Sequence, residues 1–299
     1  MDNLQLLLDA PVLNLQLLVD GLLVGAIFAL AAYGMALVWG VMNIINVAQG
    51  EFVILGGYVA FYLGKAGIHP LYGIPAAAVV LFVLGWVIYR LVIFRVVDRD
   101  LFTSILATFG LSILLQQLMN QGFGADVQTA DAGFGTRFFF DGMVSVSDVK
   151  LISFFLSFVL AVCLMLFLKR SRLGQAIRAT AQNARAARIL GVDTDRVYAT
   201  TYALNAAICG AAGALVAVTW VIHPFLGLAY TVRSFMIVVV AGLGNIGSVV
   251  AAGLGLGAAE NFAGFVFGAE FQVAFVFSLL VVVLVLRSLR LSRQRRYLR

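Results

Sequence analysis

Long apolar runs, each closed by a short polar or charged cluster, dominate this sequence. They occupy residues 17–39, 44–63, 71–93, 101–119, 151–168, 197–222 and 271–286. Each approaches or exceeds the ~20 residues a helix needs to cross the hydrocarbon core of a bilayer. One further apolar stretch, 234–262, has 29 residues, whereas two full spans need ~40. Its centre holds Gly242, Gly244, Asn245, Gly247 and Ser248, a glycine-rich turn signal. The second run is interrupted too: Asn43, Asn46, Gln49, Gly50 and Glu51 fall within nine residues, followed by Gly56 and Gly57. The pattern predicts an all-α polytopic membrane protein with about seven to eight transmembrane helices and a glycine-broken re-entrant segment. It forms one transmembrane domain over 1–299.

Composition agrees. The chain is 63% hydrophobic and 11% charged, with a mean hydropathy of +1.04. A water-soluble domain of this length would need far more charge on its outside. Cys163 and Cys209 both lie inside apolar runs and read as small packing residues. With only His69 and His223 as histidines, a histidine-based metal site is not expected, and no cofactor is implied. The N-terminal region reads as a retained span and not a signal peptide, because Asp2, Asp9 and Asp20 precede the first basic residue, Lys65.

Charge sets the expected orientation. Arg95 and Arg99 follow the third run, residues 169–196 carry seven basic and two acidic residues, and the tail from Arg287 carries six arginines. The positive-inside rule places these three regions in the cytoplasm. The connection 120–149 holds Asp126, Asp131, Asp141 and Asp148 against Arg137, and is expected outside, as a periplasmic loop. The acidic N-terminus goes to the same side. Parity then requires 234–262 to begin and end outside, which suggests a re-entrant hairpin; non-helical backbone is tolerated at membrane depth where protein surrounds it. The net charge of +6 is concentrated at span ends and does not point to nucleic acid.

Glu51 and Glu260 are read as the acidic residues within apolar segments, and a charge at the bilayer centre costs at least ~2.5 kcal/mol. Each either faces a pathway or caps a broken helix. Asn43, Asn46, Gln49, Asn205, Asn245 and Asn261 either line a path or bond neighbouring helices. Two interrupted, polar-bearing stretches in the two halves of the chain point to a pathway near the midplane. Gly210–Gly213 and Gly253–Gly257 suit close helix packing. There is no Walker A motif: the one Gly-Lys pair, Gly64-Lys65, is followed by Ala66 where Ser or Thr is required. No nucleophile motif or metalloprotease helix marks an enzyme.

The basic island 169–196 is the most distinctive polar segment. Ile177, Ala181 and Ala184 recur at helical spacing, and Arg178, Arg185 and Arg188 form a neighbouring stripe. Gly174 precedes this helix, Asn183 lies within it, and Gly191 ends it. Asp193 or Thr194 is placed to cap the next helix. A small-residue face on a cytoplasmic loop is expected to dock another protein.

Three blocks carry a family resemblance. GLLVGAIFALAAYGMALVWGVMNIINVAQGEFVILGGY (21–58), LGQAIRATAQNARAARILGVDTDRV (173–197) and VVVAGLGNIGSVVAAGLGLGAAE (238–260) resemble, in order, segments of the branched-chain amino acid ABC transporter permeases. One departure is Gln49, where that family often has His in Asn-x-Ala-His-Gly-Glu. The resemblance implies a non-enzymatic, multi-pass permease of the bacterial inner membrane. It implies two cytoplasmic ATPase subunits docked on the island as a coupling region, a second homologous permease and a periplasmic substrate-binding protein. The pathway would open alternately to each side. Urea, short amides or other small organic solutes are an alternative cargo; a self-sufficient ion-coupled carrier using Glu51 or Glu260 is a third reading.

Overall fold

The computed structural model describes residues 2–97, 99–139, 144–242 and 246–296. Twelve helices occur among them. α1 (Asp2–Asp9) leads into α2 (Pro11–Met42), then α3 (Gln49–Lys65), α4 (Gly73–Leu91) and α5 (Leu101–Phe123). A β-hairpin of β1 (Thr136–Phe139) and β2 (Val144–Ser147) precedes α6 (Asp148–Arg170). Two short helices follow, α7 (Arg172–Gln182) and α8 (Ala184–Ile189), then α9 (Thr194–Thr219), α10 (Gly227–Ala241), α11 (Ile246–Phe267) and α12 (Phe271–Arg296). Seven segments among the described residues have the length and apolarity to cross a membrane, and residues 271–286 of α12 add a shorter apolar helix.

The bundle is organised around α2 and α9, whose spans are 78% and 83% buried. Small residues let their neighbours approach at backbone distance. Gly21 and Gly25 of α2 face Gly257 and Gly253 of α11, each pair four residues apart and so on one helical stripe. Gly210 of α9 sits against Ala77 and Leu81 of α4, and Gly213 lies on the Val53 carbonyl of α3. α5 and α6, by contrast, leave most of their apolar surface exposed, at 28% and 17% buried, as helices facing lipid do.

The two ends of the bundle differ in charge. α2 begins at the hairpin end, where Gln16 accepts from the Ser145 N–H at 2.8 Å and Asp20 pairs with Lys150 at 2.9 Å. Arg95, Arg99 and the island lie at the opposite, basic end. There Asp100 caps α5, accepting from the Thr103 N–H and hydroxyl, and these bonds hold its carboxyl below the usual carboxylate range.

The interruption expected after the first run is present. α2 stops at Met42, Asn43 takes a left-handed conformation (φ 52°), and α3 does not start until Gln49. Asn is among the few non-glycine residues that adopt this geometry readily. Because Gln49 bonds the Ala31 carbonyl of α2 at 2.9 Å, α3 starts well inside the bundle, not at its edge.

The stretch 234–262 is a glycine-broken hairpin. Its break falls at Gly242 (φ 75°), as the glycines suggest, but the arms are longer. α10 starts at Gly227 and α11 runs to Phe267; counted with the turn before α10, residues 224–241 and 247–267 are long and apolar enough to cross, and they carry the chain to the basic end and back. The shallow re-entry lies earlier, in residues 220–226, which carry the chain from the outer end of α9 inward to Gly227. Thr231 and Arg233, polar residues in this part of α10, are both satisfied inside the bundle, as described below. Asn245, Leu243 and Gly244 fall outside the described residues.

Candidate functional site

The polar residues proposed from sequence separate into two groups. Asn46, Gln49, Glu51 and Asn205 meet in a closed junction of α2, α3, α5, α9 and α10, each no more than 1% exposed. Gln49 Nε2 donates to Ala31 O and to Cys209 Sγ, both at 2.9 Å; Tyr202 donates to Asn46 Oδ1 at 3.3 Å. Gly34 leaves room for the Asn205 and Gln49 amides beside α2. Thr231 joins the two half-depth helix starts: its hydroxyl accepts from Gly50 N and donates to Val47 O, both at 2.9 Å. Thr108 does the same for α5, bonding Val47 N at 3.1 Å and Ile45 O at 3.0 Å.

Glu51 lies in the first turn of α3 and against the backbone of Gly227, the first residue of α10. Two helix N-termini, each with partial positive charge, therefore converge on one carboxylate. Ser112 donates to Glu51 Oε1 at 3.0 Å, while Oε2 is buried and has no hydrogen-bond partner among the described residues. Only a glycine fits opposite: a Cβ on Gly227 would strike the carboxylate, and one on Gly50 would strike the Gly227 carbonyl. The junction is tightly packed and shut to solvent. Asn43, in contrast, is exposed at the end of α2.

Glu260 and Asn261 belong to a different place, a cavity of about 340 Å³ at the hairpin end between α2, α10, α11 and the start of α12. Arg233 grips Glu260 with two nitrogens, its Nε lying 3.0 Å from both carboxylate oxygens. Its guanidinium also stacks over the rings of Phe28 and Tyr230, at 5.0 and 5.4 Å, a cation–π arrangement that strengthens away from water. Trp220 stacks on Phe28 at 6.0 Å and completes the aromatic wall. Asp20 and Lys150 supply a second ion pair in the same cavity, while Asn261 bonds the Leu17 carbonyl at 2.8 Å. Asp20 is thus a further acidic residue within a spanning helix. Sequence reasoning missed Arg233 and its ring partners; the available signal was an arginine beside an apolar run that also held an unmatched glutamate.

The island is two helices with a corner. α7 and α8 meet at Asn183, whose side chain caps Ala186 N at 3.0 Å. α8 ends in a Schellman turn: Gly191 is left-handed (φ 88°), its N–H reaches Arg188 O, and Val192 N–H reaches Ala187 O. Asp193 then caps α9 through Arg196 N at 3.1 Å. The face of Gly174 and Ile177 turns toward the bundle: Ile177 is buried, and a Cβ on Gly174 would strike the last turn of α6. Arg178 reaches back to the Lys169 carbonyl at 3.2 Å, and Ala181 borders a cleft beside α2. Arg188 donates to Thr194 Oγ1 at 2.9 and 2.6 Å. Pointing away from the bundle are Arg185 and, unforeseen from periodicity, Ile189 and Leu190, 86% and 84% exposed. Among the described residues, no three His, Cys, Asp or Glu side chains come together.

Residues 17–286 match the family described as branched-chain amino acid transport system / permease component. The high-affinity branched-chain amino acid transport system permease protein BraD of Pseudomonas aeruginosa is 30% identical over 288 residues, which cover 91% of this chain and 94% of BraD. The corresponding permease protein LivH of Escherichia coli (strain K12) is 29% identical over 284 residues, 90% of this chain and 92% of LivH. Among solved structures, PsaBC from Streptococcus pneumoniae in complex with Fab aligns with a TM-score of 0.49 at 13% identity, over 88% of this chain and 89% of that chain. With spanning helices throughout and a family match over nearly its whole length, this chain belongs to the branched-chain amino acid transport permease family and is a multi-pass protein of the inner membrane.

Proposed function

We propose that this chain is the permease subunit of an ATP-driven importer, and that it carries branched-chain or other hydrophobic amino acids inward by alternating access. On this reading it is one transmembrane domain over 1–299. The basic end faces the cytoplasm, and residues 120–149 with their hairpin face the periplasm. A second homologous permease, two cytoplasmic ATPase subunits and a periplasmic binding protein complete the machine. The family name of the relatives supports the cargo class.

The observation that carries the reading is the cavity at the hairpin end. A hydrophobic amino acid in water is a zwitterion with an apolar side chain. The cavity offers cations at Lys150 and Arg233, carboxylates at Asp20 and Glu260, and aromatic surface at Phe28 and Trp220. Urea and short amides have no charges for such a set, so the cavity favours the amino acid reading over the amide one. The pathway then runs past Glu260 and Asn261. Asn46, Gln49, Glu51 and Asn205 act as the junction that sets the helices beside it.

The docking surface for the ATPases is the outer side of the island, with Arg185 and the exposed Ile189 and Leu190 as contacts. Gly174, Ile177 and Arg178 hold that surface to the bundle, Ala181 sits beside them, and Asn183, Arg188 and Gly191 shape its corner. A pair of large apolar side chains left in water on a basic loop marks an interface.

Uptake by the complete transporter in proteoliposomes tests the proposal. Leucine should be imported with ATP, and Lys150→Gln should raise the concentration for half-maximal uptake by roughly tenfold, as loss of a charge-assisted contact does. ATP-dependent urea uptake without leucine uptake would overturn the cargo. Leucine uptake without ATPase subunits would overturn the coupling.

A further inference from the structure

A second cleft, of about 640 Å³, opens at the basic end between α2, α6, α7 and α11. This lies within the ~300–1,000 Å³ typical of small-molecule sites. Leu37 and Val41 of α2, Leu164 and Leu168 of α6 and Val249 of α11 make its walls apolar. Its mouth is charged, and with one sign only: among the described residues that border it, Lys169 and Arg178 are cationic and none is a carboxylate. The bond from Arg178 to the Lys169 carbonyl keeps the guanidinium over the last turn of α6 instead of out in solvent. One wall is bare backbone at Gly40, where an added Cβ would meet nothing within 4 Å.

We propose that this cleft binds an anionic phospholipid, with one acyl chain between α2 and α6 and the phosphate held by Lys169 and Arg178. Three observations point to a lipid. The walls are apolar and only the mouth is charged, which is the polarity of a lipid along its length. The mouth sits where α6 ends in Lys169-Arg170, the level at which a spanning helix meets the headgroups. α6 is also the least buried of the seven spans, so the cleft borders the bilayer. Basic pockets of this kind between membrane helices select anionic headgroups. A transported zwitterion would need a carboxylate in the site, which this cleft lacks. Because α7 forms part of the wall, the bound lipid ties the island to the bundle.

Native mass spectrometry of the full-length permease, incubated in mild detergent with phosphatidylglycerol or phosphatidylcholine, tests the site. Phosphatidylglycerol should be retained roughly tenfold more strongly, and Lys169→Gln should cut that preference about fivefold. Gly40→Leu should abolish retention by filling the cleft, with both cations still in place. Lys169→Gln, at an exposed position, keeps the test open if Gly40→Leu does not fold. Equal binding of the two lipids would overturn the proposal, as would full retention in Gly40→Leu. If neither lipid is retained and Gly40→Leu instead blocks uptake, the cleft belongs to the solute pathway. If Gly40→Leu releases the second permease, it is a subunit seam. Either result overturns the lipid site.

Discussion

Arg233 Nε lies 3.0 Å from each carboxylate oxygen of Glu260, which ties α10 to α11 across 27 residues of sequence. Both side chains are nearly out of solvent, at 12% and 6% exposure. Removing one partner leaves an uncompensated buried charge, at a cost of about 3–5 kcal/mol, whereas replacing both with apolar groups is often neutral. Arg233→Met and Glu260→Leu should therefore each lower the thermal stability of the purified permease sharply, and the double variant should regain most of it. A double variant as unstable as the singles would count against a mutual pairing. The restored double variant should still fail to import leucine, because the cavity has lost its inner charges.

Glycine at the central junction is a steric requirement. A Cβ on Gly50 would collide with the Gly227 carbonyl, which is backbone and has no rotamer to escape into. Gly50→Ala should cost more than about 3 kcal/mol, and Gly213→Ala, facing the Val53 carbonyl, should behave alike. Gly110 on α5 has open space beside it, so Gly110→Ala should be neutral or stabilise by ~0.5–1 kcal/mol. Fluorescence size-exclusion after a temperature ramp separates these outcomes.

Glu51 tests whether the junction works by charge or by shape. Glu51→Gln keeps an oxygen for the Ser112 hydroxyl, so uptake at matched expression should stay within about twofold of the parent. Glu51→Ala leaves both Ser112 and a gap between α3, α5 and α10, and should destabilise by about 2 kcal/mol or more. Loss of uptake in the isosteric variant alone would show that the charge itself is used and would revive an ion-coupled mechanism.

Ile189 and Leu190 give the docking prediction. Both are more than four-fifths exposed, so Ile189→Asp with Leu190→Asp should change stability by no more than ~0.5 kcal/mol. The same double variant should no longer co-purify with the ATPase subunits. Arg185→Glu should weaken the complex further and make it salt-sensitive in the opposite sense to the parent. Undiminished co-purification of both variants would move the docking surface elsewhere.

The spans, the break after Met42 and the turn at Gly191-Asp193 were legible because each rests on local chemistry: apolar length, a left-handed Asn, a left-handed Gly and a side-chain cap. What stayed hidden depends on residues far apart. The start of α10 at Gly227, ahead of the expected 234, rests in part on Arg233, whose partner Glu260 lies 27 residues away and leaves no local signal. Helical spacing put Ile177, Ala181 and Ala184 on one face of the island. That spacing suggests a face that docks another protein, but Ile177 is buried against the bundle instead. The polar residues from Asn43 to Glu51 look like a pathway by composition; burial instead makes most of them a sealed joint, while the open cavity is built from Asp20, Lys150 and aromatic residues scattered over the chain.

α9 begins one residue after Val192-Asp193 closes the island and ends at Thr219, next to Trp220 in the cavity wall. Its 26 residues make a rod about 39 Å long with no proline or break in it. Packed on several sides at backbone distance, it has little freedom to bend. On the proposed reading, a tilt imposed at the island end would appear at the other as a displacement of the Trp220 ring, with α9 acting as one stiff lever between island and cavity.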